Sequence, residues 1–102
     1  MLASSNSLKI LLVMGLLLLG TQVAAQDEAG AGKDLYQQHC AACHSANPAA
    51  MKGKPVDMLV EKMNKVKNMS NASGGAAKMQ QVLQPMSADQ IKSIAVYLNQ
   101  LK

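Results

Sequence analysis

The chain is predicted to be all-α, and three observations carry that prediction. Apolar residues recur at helical spacing in three separate stretches, led by Leu35, Val56 and Ile91. Ser87-Ala88-Asp89-Gln90 follows Pro85 and matches a capping box, with Ser87 as N-cap and Gln90 reaching back. No stretch alternates apolar and polar residues with the period of two that a half-buried strand requires, so no sheet is expected.

The first stretch stands apart from the rest. Lys9 precedes the apolar run Ile10 to Leu19, and small residues follow at Val23-Ala24-Ala25. A charged start, a short apolar core and small residues at a cut site read as a secretory signal peptide over residues 1–25. The apolar run is ten residues long, whereas a spanning helix needs about 20, so a leader is favoured over an anchor and no stable membrane insertion is expected after cleavage. The remainder is one small domain, poor in core-forming residues: there is no Trp or Phe, and Tyr36 and Tyr97 are its aromatics. Exported domains of this size usually lean on several disulfides or a metal.

Charge narrows the partners. The formal net charge is +4 and every basic residue is a lysine; Lys9 departs with the leader. So small a surplus, without aromatics for base stacking, argues against nucleic acid. Lys52, Lys54, Lys62, Lys65, Lys67 and Lys78 crowd the middle of the chain. They form either a solvated face or a docking rim for an acidic redox partner.

Residues 26–31 are Gly/Ala-rich and polar and read as a flexible lead-in; the helical pattern starts at Lys33. Leu35, Tyr36, His39 and Cys43 make a stripe that runs into Cys40-Ala41-Ala42-Cys43-His44. A Cys-x-x-Cys-His run reads as a covalent attachment site for a c-type haem. On a helical turn residues three apart face the same way, so Cys40 and Cys43 can form thioethers with the two vinyl groups of one porphyrin. His44 then swings under the ring to bind the iron. A redox dithiol would call for a βαβ setting that the sequence lacks. Zinc on His39, Cys40, Cys43 and His44 would crowd four ligands into six residues, too tight for a tetrahedron. A large flat cofactor would also supply the centre that this core lacks. His39 abuts Cys40, on the His44 side of the ring, and reads as a surface or half-buried histidine. A protein ligand on the far face must then come from elsewhere, and methionine is the obvious supplier.

Gly32 to His44 resembles the first helix of class I c-type cytochromes, in which a small residue, an aromatic four positions before the first cysteine and the attachment motif recur together. The resemblance covers about residues 32–102 and is nearest to the small bacterial members. It implies a cytochrome c fold, three to four helices wrapped around one covalently attached haem c with its iron. It implies too that the first helix crosses the last at Gly32, with Tyr36 packed at the crossing. In that family a proline carbonyl in the following loop accepts the ring N–H of the iron-bound histidine; Pro55 fits that role best, with Pro48 the alternative.

Ser45 to Pro55 is a loop, marked by Asn47-Pro48, Gly53 and Pro55. Val56, Leu59, Val60, Met63 and Val66 then mark an amphipathic helix of about three turns, ended at Asn68. Met58 and Met63 read as packing residues. Gly74-Gly75-Ala76-Ala77 reads as pliable backbone that brings Lys78-Met79 round to the iron. Met79 is the expected distal ligand, because it follows this loop and because the resemblance places a ligand methionine about eight residues before the final helix. Met69 is the runner-up and Met86 is expected in the core. Ile91, Ile94, Ala95, Leu98 and Leu101 mark the buried face of the last helix, with Tyr97 on its flank.

By resemblance the protein is an electron carrier of the periplasm, cycling a haem held by His44 and Met79 between ferrous and ferric states. It has no substrate chemistry of its own, although it would also serve as the haem subunit of a larger oxidoreductase. Two other classes compete. A five-coordinate haem protein that binds a small gas or acts as a weak peroxidase requires Met79 to be absent or labile. An interaction domain with a reduced cysteine pair requires no haem at all.

Overall fold

The computed structural model describes residues 27–102, and the expected signal peptide, residues 1–25, lies outside them. Among the described residues every regular element is a helix. Helix α1 occupies residues 27–39, and a single turn, α2 (Ala41–His44), prolongs it past Cys40. Three helices follow: α3 (Val56–Lys67), α4 (Gly74–Leu83) and α5 (Ala88–Gln100). Four helices of useful length plus one turn match the expected count.

Residues 27–31, expected as a flexible lead-in, are helical. Ala29 and Ala31 favour the helix, and Asp27 and Glu28 place negative charge near its amino-terminal end, where the dipole welcomes it. Gly30 and Gly32 oppose this, at about 1 kcal/mol each relative to alanine. The cost at Gly32 is offset by a contact that only glycine permits. A Cβ there would collide with the Ser93 carbonyl and lie 3.0 Å from the Ile94 amide nitrogen. The crossing of α1 and α5 at Gly32 is therefore as the resemblance implied.

The expected loop before Met79 is the larger departure: residues 74–83 form α4. Only the two glycines are pliable. Ala76 to Leu83 contains no glycine or proline, and Met79, Val82 and Leu83 fall at i, i+3 and i+4, the spacing of a buried helical stripe. Gly74 absorbs the entry turn with φ +59°. Two glutamines of α4 also lock it to the end of α3. Gln80 Nε2 donates to the carbonyls of Met69 at 2.7 Å and Lys67 at 3.2 Å, and Gln84 Nε2 donates to Lys67 O at 2.8 Å. Those carbonyls lie at and beyond the end of α3, where the helix offers them no partner. Lys67 Nζ in turn donates to Met86 O at 2.6 Å.

Helix α5 is built as expected. Ser87 accepts from Gln90 N at 3.1 Å and Gln90 Oε1 accepts from Ser87 N at 2.9 Å, completing the capping box. Its Ile91, Ile94, Ala95 and Leu98 are buried against Tyr36 of α1, Leu59 and Met63 of α3, Leu83 of α4, and Met86. Each fully buried side chain of leucine or isoleucine size contributes about 1.5–3 kcal/mol, so this face holds the small fold together. Met63 and Met86 are core residues as expected, whereas Met58 lies off the stripe and is exposed. The Tyr36 and Tyr97 rings sit 5.8 Å apart at a 44° tilt, an offset geometry that favours aromatic pairs. The loop before α3 is pinned to α5 by Gly53 N donating to Leu98 O at 2.9 Å and by Asn99 Nδ2 donating to Lys54 O at 2.8 Å.

Candidate functional site

The helices leave an apolar cleft between α1, the loop after it, α3, α4 and α5. It holds a cavity of about 190 Å³ that is partly open to solvent. Tyr36 and Cys40 come from α1 and its end, and His44 from α2. Ala50 and Met51 come from the loop; Leu59, Lys62, Met63 and Val66 from α3; Met79 from α4; Ile94 and Leu98 from α5. Most of the lining residues are apolar; Tyr36, His44 and Lys62 are the ones with polar side-chain atoms.

Of the expected site residues, Cys40, His44 and Met79 line this cleft, and Cys43 stands exposed beside it. The backbone explains the first two. Cys40 N donates to Tyr36 O at 2.8 Å and His44 N to Cys40 O at 2.9 Å, so helical bonding carries past Cys40 despite its turned φ of −116°. Cys40 is half-buried, His44 is exposed, and both cysteines are free thiols. Burial pushes the Cys40 thiol up from its ordinary value, and the neighbouring Cys43 adds to the shift. His39 faces solvent and takes no part in the lining. Among the described residues no group of three or more His, Cys, Asp or Glu side chains is placed to hold a bare metal ion.

Met69, the second choice for the iron, is 37% exposed and absent from the lining. Met51 and Met63 do line the cleft, a role that sequence reasoning did not give them. For Met63 the signal was present, because its place on the α3 stripe turns it inward; for Met51 in the loop there was none. Lys62, read as a surface lysine, reaches the cleft.

Both prolines expected near the His44 ring have carbonyls engaged by backbone amides, and Pro55 O keeps a second lone pair. Pro55 O accepts Leu59 N at 3.1 Å as the first bond of α3, and Pro48 O accepts Met51 N and Lys52 N at 3.1 and 3.0 Å. One polar contact at the cleft had no signature in the sequence. Tyr36 Oη donates to Ser45 O at 2.6 Å, tying the core of the α1–α5 crossing to the residue after His44. Burial, and secondarily Cys40 and Tyr97, raise the Tyr36 phenol above its usual value, so the hydroxyl remains a donor at neutral pH.

A thiol, an imidazole and methionine thioethers in a mostly apolar lining, with a second thiol three residues along from the first, suit a flat apolar cofactor carrying a soft or borderline metal. A family model, cytochrome c oxidase, cbb3-type, subunit III, matches residues 27–98. No curated protein and no solved structure matches the chain.

Proposed function

The chain belongs to the family of cytochrome c oxidase, cbb3-type, subunit III, and on that premise we propose that it is an exported, periplasmic electron carrier whose single haem is held by His44 and Met79. Membership makes it a c-type cytochrome with covalently attached haem c, acting in electron transfer either by itself or as part of an oxidase complex. The finer statements, which concern the residues, the count and the compartment, are our reading.

Haem c supplies a one-electron ferrous/ferric couple when bound. The rest falls to this chain. Cys40 and Cys43 would hold the porphyrin edge through thioethers, and His44 would ligate the iron through its imidazole. Met79 would bring a thioether, a weak neutral ligand that favours the ferrous state and raises the potential. Leu59, Met63, Val66, Ile94 and Leu98 exclude water from the cleft, which acts in the same direction. The observation that carries the reading is that one cleft gathers Cys40, His44 and Met79 from three different elements, with Met51 and Met63 also in its lining and Met69 outside it.

Lys52, Lys54, Lys62, Lys65 and Lys78 would form the docking rim for an acidic partner, with Lys62 already at the cleft. Lys67 would join them with one ammonium proton given to the Met86 carbonyl, since an ammonium so bound keeps its charge. Export rests on the leader pattern of residues 1–25. No helix among the described residues is long and apolar enough to cross a membrane.

Absorption spectra of the matured protein in both redox states test this function. We expect a six-coordinate, low-spin iron in both, with colour that stays on the polypeptide after acid and organic-solvent denaturation. A high-spin ferric spectrum that responds to small added ligands would overturn the carrier reading in favour of gas binding or peroxidase activity.

A further inference from the structure

We propose that Tyr36 is a positioning residue for His44: its hydroxyl holds the Ser45 carbonyl and keeps the residue after the iron ligand in a backbone conformation that serine does not adopt unaided. The proposal rests on His44 as the iron ligand.

Ser45 has φ +73° and ψ 164°. This is a region populated essentially by glycine, and other residues persist there only when the surroundings over-determine them. The surroundings do so from both sides. On the amide side, Ser45 N donates to Ala41 O at 2.8 Å and closes the last turn of α2. On the carbonyl side, the Tyr36 hydroxyl donates at 2.6 Å, a short O–H···O bond. The anchor itself is rigid. Tyr36 is 1% exposed, one turn along α1 from the Gly32–Ser93 contact and stacked near Tyr97. The peptide groups flanking Ser45 are therefore held at both ends, and His44, bonded to the first of them, has its backbone direction set by a side chain eight residues earlier. An iron-bound imidazole is normally oriented by what its surroundings hold in place. Here the Tyr36–Ser45 bond holds the peptide next to His44.

A double-mutant cycle on the haem-loaded protein tests the role, using Tyr36→Phe, Ser45→Gly and both together. Tyr36→Phe keeps the packed ring and removes only the hydroxyl; Ser45→Gly makes the backbone conformation accessible without it. The readouts are the pattern of haem-methyl shifts in the ferric NMR spectrum, which follows the orientation of the axial imidazole, and the urea midpoint. We expect Tyr36→Phe to change the pattern and lower the midpoint, Ser45→Gly to keep the pattern, and the effect of Tyr36→Phe to shrink by half or more in the glycine background. An unchanged pattern in Tyr36→Phe, or equal effects in both backgrounds, would overturn the Tyr36 role alone. A low-spin spectrum that survives in His44→Ala would instead overturn the ligand reading, and this proposal with it.

Discussion

Gly32 meets the Ser93 carbonyl so closely that no Cβ fits between them. Gly30, two residues earlier in the same helix, has nothing within 4 Å of the place a Cβ would take. The two glycines of α1 thus answer opposite physical demands, and substitution separates them. Gly32→Val should cost about 1–3 kcal/mol or more through overpacking against backbone that cannot yield. Gly30→Ala should gain about 0.4–1 kcal/mol, because it removes conformational freedom from the unfolded chain at no steric cost. Urea midpoints of the two variants against wild type check both signs.

The choice of methionine is tested in the same paired way. Met79→Ala should abolish the methionine-sulfur-to-iron charge-transfer band and lower the reduction potential, by a measurable part of the about 0.8 V range over which axial ligands act. Met69→Ala, at an exposed site outside the cleft, should change neither. The visible spectrum and a redox titration of both variants decide it.

The α3–α4 junction depends on one side chain more than its exposure suggests. Gln80→Ala removes the donor to both Lys67 O and Met69 O, and should destabilise the fold by about 1 kcal/mol, with the loss seen in the urea midpoint. Hydrogen exchange should quicken first at the amides of α4 and the 68–73 connection, since their packing on α3 is what the bond secures.

Alkaline pH should weaken the fold through Tyr36. Its phenol is raised above the ordinary value of 10.0 in the folded state, chiefly by burial. Above pH 10 the unfolded chain therefore loses this proton first, and ionisation favours unfolding. The contribution is complete below pH 10 and declines as pH climbs toward the folded value. Tyr36→Phe, although less stable at neutral pH, should show a shallower fall in urea midpoint above pH 10 than the wild type.

What the residues determined by themselves is local. Helical spacing marked the stripes of α3 and α5, the Ser87–Gln90 box marked the start of α5, and the attachment motif of Cys40, Cys43 and His44 stood within five residues. Each of these signals is written within a turn or two of chain, where neighbours in sequence are neighbours in space. Even α4 was legible in Met79, Val82 and Leu83, but the two glycines before it read as a loop. Tertiary structure decided the rest. It brought Ser93 against Gly32, turned Met79 rather than Met69 toward the cleft, and set the Tyr36 hydroxyl on Ser45, a residue in a conformation no serine signals. Those outcomes depend on how separate helices pack, and a contact between distant residues leaves no mark on the spacing of either.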